Sequence, residues 1–237
     1  MGCGHWGKNL ARNFFELGSL HSICEENQAI AEKLKHEFKV KNISFSDALE
    51  DPKISGIVLS VPAPLHAKMA IMAINKNKHV YIEKPLAINL IEAENIVEAS
   101  KKSNSRVMVG HLLQYHPAFI KLKEIIRNET LGELKFISSR RMSMGKVRSY
   151  EDVIWSFAPH DISMIISLFS DQPESVFVEA QDILQAKIYD IASLNLSFND
   201  NKKAIISVSW LHPFKEHQLI ATCTKGIAIF DDTKPND

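Results

Sequence analysis

The chain has 237 residues, 45% of them hydrophobic and 24% charged, with Lys+Arg and Asp+Glu tied at 28 each. That balance is ordinary for a soluble globular protein and excludes a disordered or collagen-like chain; at about 150 residues per domain the length predicts one large domain or two small ones. A formal net charge of zero provides no field to draw a nucleic acid or an anionic membrane surface, so any anionic partner must be held by local groups.

From residue 6 to about 109, short β-rich runs alternate with helical patterns, the order expected when crossover helices join parallel strands. Residues 6–17 read as a helix stopped by Gly18, 20–24 as a short strand, and 28–38 as a helix with Ile30, Leu34 and Phe38 at helical spacing. Residues 54–61 form a nearly continuous apolar run, the mark of a strand buried on both faces, and Pro62 and Pro64 end it. A helix over 65–74, a strand over 79–82, a helix capped by Asn89 and running to about 103, and a strand over 106–109 complete this half. After Gly110 the rhythm changes to a helix over 118–127, a long β pattern over 134–144 and a helix over 159–169. Strands over 175–183, 188–198 and 203–210 follow, with Asn199, Asp200 and Asn201 as a turn. The expected architecture is α/β: a Rossmann domain over 1–112, then an α+β domain over 113–237 with a mainly antiparallel open sheet. No apolar stretch approaches the roughly 20 residues of a membrane span, and no basic segment leads into a signal core. Cys3, Cys24 and Cys223 are too few for a disulfide framework and lack zinc-site spacing, which predicts a reducing, cytoplasmic location.

Gly2, Gly4 and Gly7 spell G-x-G-x-x-G at the very start. In that spacing the first glycine makes a tight turn, the second lets the backbone approach a pyrophosphate, and the third packs the helix on the sheet. The helix N-terminus then offers N–H groups to phosphates. Glu25, eighteen residues past Gly7, stands where an acid binds ribose hydroxyls and repels a 2′-phosphate, so NAD is expected over NADP. Only Met1 precedes the loop, so the strand that should lead into it is expected to be missing.

Glu83-Lys84-Pro85 follows the 79–82 strand, at the sheet end where open α/β folds place ligands. Lys84 there could move a proton or donate to a substrate hydroxyl, or could be a surface lysine. In Trp155-Ser156-Phe157-Ala158-Pro159-His160-Asp161, Pro159 is expected in the first helical turn, aiming His160 from the helix start as an acid or base. Asp161 does not orient His160 by adjacency, because consecutive helical side chains point about 100° apart. Lys135, Arg140, Arg141, Lys146 and Arg148 lie in a stretch without an acid, either a solvated strand face or a local anion site. His111, Tyr115 and His116, just past the last strand of the first half, are candidates for lining a cleft.

With Gly2-Cys3-Gly4-His5-Trp6-Gly7, Glu83-Lys84-Pro85, Gly110-His111 before Tyr115-His116-Pro117, and Pro159-His160-Asp161 in order, the chain resembles the Gfo/Idh/MocA oxidoreductases, the glucose-fructose oxidoreductase and inositol dehydrogenase family. The resemblance implies hydride transfer between NAD(P) and a sugar-like alcohol, without a metal, and an oligomer formed through the C-terminal sheet. It places Lys84 and His160 on the catalytic lysine and histidine. It assigns Gly2, Gly4, His5, Trp6, Gly7, Glu25, Pro62, His66, Glu83 and Lys84 to the cofactor, and Lys84, Tyr115, Lys146, Arg148 and His160 to the substrate. Residues 147–162 are similar to members that oxidise C3 of UDP-N-acetylglucosaminuronate or related sugars; an aldose or inositol dehydrogenase, or a non-catalytic member, is the alternative. Many members carry an acid four residues before the histidine, where this chain has Ser156, and several dozen more residues after a segment like 226–231, so a shortened C-terminal domain is expected.

Overall fold

The computed structural model describes residues 1–145, 147–148 and 151–234. It divides into two compact units, Met1–Gly110 and His111–Asp237.

The first unit runs α1 (Gly7–Glu16), β1 (Ser22–Ile23), α2 (Gln28–Phe38), β2 (Lys41–Asn42), α3 (Phe45–Glu50), β3 (Gly56–Leu59), α4 (His66–Asn75), β4 (His79–Ile82), α5 (Leu90–Lys101) and β5 (Val107–Val109). Side-chain oxygens start three of these helices: Asn27 accepts from Ile30 N at 3.1 Å, Ser44 from Asp47 N at 3.1 Å and Asn89 from Glu92 N at 2.9 Å. Each such cap stabilises its helix by about 1 kcal/mol. The parallel strands form two separate pieces, β1-β2 and β3-β4-β5. In the larger piece Ile57, Leu59, Val80 and Ile82 are buried, packing against Ala70, Ala73, Ile74 and Ile96 of α4 and α5. An apolar cavity of about 480 Å³, walled by residues such as Leu10, Ala11, Ile23, Ile57 and Val80, lies beside both pieces. At one end of it the chain start joins the two: the Met1 ammonium donates to Val58 O at 2.8 Å, Ser60 N to Met1 O at 3.0 Å, and Gly2 N to Cys24 O at 3.0 Å.

The second unit runs α6 (Pro117–Arg127), β6 (Leu134–Met144), α7 (Val153–Phe169), β7 (Ser175–Gln181), β8 (Ile191–Ser197), β9 (Lys203–Ser209), β10 (Leu211–Cys223) and β11 (Gly226–Asp231). The six strands are ordered β11-β10-β6-β9-β8-β7, all antiparallel except the β6–β9 pair, which is parallel. Strand alternation gives the sheet two unlike faces. One face is a core in which Leu194, Ile206, Ile137, Leu219 and Ala221 meet Met164, Ile165 and Leu168 of α7. The pairing also puts Ser139 level with Ile206 and Leu219, and Arg141 level with Val208 and His217, on that same inner side.

One expectation is corrected here. Pro159 does not open its helix: Asp152 caps α7 by accepting from Trp155 N at 3.1 Å, and the helix passes through Pro159. The apolar segment ahead of the proline is itself helical, and Val153 and Ala158 are fully buried.

Candidate active site

The three loop glycines have three different surroundings. Gly2 sits at φ +76°, where other residues are strained, and a Cβ on it would press 2.9 Å from Ser60 O. Gly7 faces the Gly2 carbonyl and Ser60 Oγ so closely that any side chain would collide with both, while Gly4 has open space where a Cβ would stand. Ser60 Oγ donates to Gly2 O at 2.5 Å and so braces the turn. No side chain caps α1, so its first-turn N–H groups have no competing side-chain oxygen.

Glu25, just past β1, turns its carboxylate back onto this loop. Oε2 accepts from Cys3 N at 2.6 Å and Oε1 from Asn27 N at 2.8 Å. Its backbone is fixed in turn by Asn42, whose Oδ1 accepts from Glu25 N at 2.9 Å and whose Nδ2 donates to Glu25 O at 3.0 Å. Each carboxylate oxygen keeps a second lone pair for a further donor.

The glycine loop is also tied to the segment after β4. Glu83 is buried, and its Oε1 accepts from Trp6 Nε1 at 2.7 Å and from Tyr81 Oη at 3.0 Å, while Glu83 N donates to Leu59 O at 2.9 Å. A Cβ at Gly110 would strike Tyr81 Oη and Glu83 Oε1, so the smallest residue lets β5 end against this cluster. Beyond the cis Lys84–Pro85 bond, His66, which is 1% exposed, bridges Pro85 O at 2.8 Å and Val61 O at 2.9 Å through its two ring nitrogens. His66 therefore acts as a strut between two loops at the same sheet end rather than as a surface group. Lys84 is half-buried on this braced segment; His5, Trp6 and Pro62 are exposed at the loops around it.

In the second unit His160 lies partly buried within α7, with buried Ser156 one turn earlier. Its carbonyl accepts from Ser163 Oγ at 2.9 Å, and Gln114 Nε2 donates to Ser163 O at 2.8 Å, tying α7 to the 3₁₀ turn Leu112–Tyr115. Tyr115 is well exposed at the end of that turn. Lys146 lies outside the described residues.

Acids outside the basic stretch, some adjoining it and some far along the chain, take up its charges. Lys135 pairs with Glu133 at 2.8 Å, Arg140 with Glu216 at 3.8 Å, and Arg148 with Glu151. Arg141 is buried among Asp161 at 2.7 Å and Asp232 at 3.0 Å, and Asp232 also contacts His217 Nδ1 at 2.7 Å. Burial alone would raise the Asp232 carboxyl, but bonding to His217 and Arg141 outweighs it and holds the group at about 2. Burial likewise opposes the Arg141 charge, and Asp161 followed by Asp232 overcomes it. Neither the Trp6–Glu83 bond nor the Asp161–Arg141 pair was evident from the motifs. The available hint was that Asp161 is the one acid within the apolar run of α7.

Comparison with known proteins covers both units. Residues 1–111 match the family described as an oxidoreductase family with an NAD-binding Rossmann fold, and residues 119–229 match the GFO/IDH/MocA C-terminal domain. Inositol 2-dehydrogenase of Salmonella typhimurium is 27% identical over 159 residues, 66% of this chain and 47% of that protein, so the match spans about half the relative's length. UDP-N-acetylglucosamine 3-dehydrogenase of Acidithiobacillus ferrooxidans is 23% identical over 210 residues, 88% of this chain and 65% of that one. The solved structure of UDP-N-acetylglucosamine 3-dehydrogenase from that organism superposes with a TM-score of 0.87 at 22% identity, covering 97% of this chain and 74% of the other.

Proposed function

Because the chain belongs to the Gfo/Idh/MocA family of NAD-binding oxidoreductases, we propose that it passes a hydride between NAD and a sugar-like alcohol, and that the alcohol is C3 of a UDP-N-acetyl amino sugar or its uronate. The observation that carries the cofactor half of this reading is the Glu25 carboxylate held against Cys3 N beside the open side of Gly4. These residues fit a dinucleotide: the pyrophosphate would approach the backbone at Gly4 and the first turn of α1, with His5 and Trp6 bordering it. Glu25 would accept from the adenosine ribose hydroxyls and disfavour a 2′-phosphate, selecting NAD over NADP. Pro62 and Glu83 border the same sheet end, and His66 serves the cofactor by bracing their loops.

When bound, the nicotinamide supplies the hydride acceptor. His160 takes the proton from the substrate hydroxyl as the C–H electron pair leaves, so the alcohol becomes a ketone. Lys84 donates to that oxygen and holds it in place. Tyr115, Lys146 and Arg148 are assigned to the rest of the substrate. The similarity of residues 147–162 to nucleotide-sugar members and the UDP-N-acetylglucosamine 3-dehydrogenase relative support the C3 assignment.

A neutral polyol is the second reading. It is favoured because the basic stretch spends Lys135, Arg140, Arg141 and Arg148 on acids of the same chain, leaving less charge for a diphosphate. Measuring NADH formation with UDP-N-acetylglucosamine, its uronate and myo-inositol decides between them. The C3 reading expects the highest kcat/KM for one of the UDP-sugars, and a preference for inositol overturns it.

The partner we propose for the open sheet face is a second copy of the chain. One row across that face carries Phe177, Asn195, Ile205, Ser138, Ile220 and Ile229, and its end residues Phe177 and Ile229 are each 62% exposed. Exposed apolar patches of this kind mark association surfaces. Sedimentation of Ile229→Glu is expected to show a smaller species than the unaltered chain; an unchanged sedimentation coefficient contradicts the assignment.

A further inference from the structure

Pro159 has no N–H, so α7 lacks one backbone hydrogen bond, the one to Trp155 O, in the turn that leads into His160. A helix missing that bond is free to bend there unless something else holds it. Asp161, the next residue after His160, is 1% exposed and anchored to β6 by three bonds: from Ser139 Oγ at 2.6 Å, Arg141 Nε at 2.7 Å and Arg141 Nη2 at 3.4 Å. Arg141 is itself locked, with Nη1 3.0 Å from Asp232 Oδ2 and 3.1 Å from His217 Nδ1. The array therefore runs from the helix through the sheet to the residue following β11. On the other side of the same turn, Ser163 Oγ grips the His160 carbonyl.

We infer that Asp161, gripped by Ser139 and Arg141, is a positioning residue that sets the orientation of His160 by fixing the proline-weakened turn of α7. The inference rests on the reading of His160 as the base. Asp161 does not reach the substrate in this account; it acts through the helix backbone, which is how an adjacent residue pointing about 100° away can matter. His217 can donate through Nδ1 to Asp232 or accept there from Arg141, but not both at once. The titratable and charged groups meeting at Arg141 are Asp161 from α7, His217 from β10 and Asp232 beyond β11.

The test compares Asp161→Asn, Arg141→Lys and the milder Ser139→Ala with the unaltered chain. Two readouts are taken: NAD-dependent turnover on UDP-N-acetylglucosamine, and the pH titration of the His160 imidazole by NMR. A loosened turn is expected to lower kcat by up to about 10²-fold, to leave the affinity for NAD unchanged, and to move the His160 titration, with Ser139→Ala changing least. A stability contribution alone would lower the melting temperature but would leave kcat and the His160 titration of the folded protein as they were; that result overturns the inference. His160→Ala is measured beside them. Lost turnover there with unaltered turnover and titration in Asp161→Asn overturns the positioning role alone, whereas retained turnover in His160→Ala overturns the reading of His160 and the inference with it.

Discussion

Alanine at Lys84, and separately at His160, is expected to lower kcat by ~10²–10⁴-fold while leaving the affinity for NAD nearly unchanged. The Lys84 segment is held by Glu83 N on Leu59 O, by the Glu83 carboxylate on Trp6 and Tyr81, and by His66 on the Pro85 carbonyl. Those ties belong to Glu83 and His66, and they remain when the Lys84 side chain is truncated. His160 stands similarly on a helix capped by Asp152 and anchored through Asp161. Steady-state kinetics on both variants check the assignment. Unchanged kcat in either would remove that residue from the chemistry.

The largest effect on stability is expected at Asp190, the residue just before β8. It is completely buried, and its carboxylate satisfies three donors: Ile183 N at 2.7 Å, Leu184 N at 2.8 Å and Trp210 Nε1 at 2.5 Å. Burial pushes its pKa up, but the bonds from Leu184, Trp210 and Ile183 outweigh it, and the group is held below the ordinary carboxylate value. Asp190→Ala strands three donors in the interior at about 1–3 kcal/mol each, and partial relaxation leaves a net loss of about 3 kcal/mol or more against a typical total of about 5–15. For a chain of this size that corresponds to a melting temperature lower by roughly 10 °C. The pH dependence has a fixed sign. A carboxyl depressed in the folded state contributes fully above its unfolded pKa of about 3.9 and loses that contribution as pH falls toward the folded value. Thermal unfolding followed by tryptophan fluorescence should therefore show the gap between Asp190→Ala and the unaltered chain narrowing below about pH 4.

The parts of this architecture that were legible in the sequence are those fixed by neighbours in the chain. Helix α2 has the bounds that the spacing of Ile30, Leu34 and Phe38 predicts, β4 and β6 fall where their β-rich runs lie, and Asn89 caps α5 as its side chain predicts. The glycine loop was readable because Gly2 and Gly7 each answer a local steric demand. What stayed hidden depended on distant partners. Pro159 looks like a helix start because proline favours that position; inside α7 its missing bond is tolerated where Asp161 is riveted to a strand 20 residues earlier in the chain. The cations between residues 134 and 150 read as available because Glu216 and Asp232, which occupy two of them, lie more than seventy residues away. Strand β10 was obscured by Pro213, which falls where its register with β6 shifts between Leu211 and Glu216.

The central claim is that the glycine loop, α1 and Glu25 bind NAD, and the most direct test is thermal unfolding of the chain with and without millimolar NAD. A ligand at about 100 times its Kd stabilises the native state by about 2.7 kcal/mol, equivalent to a rise of roughly 5–10 °C for a chain this long. The account predicts that rise, and predicts a smaller one in Glu25→Ala, whose ribose acceptor is gone. A melting temperature that does not respond to NAD would contradict it.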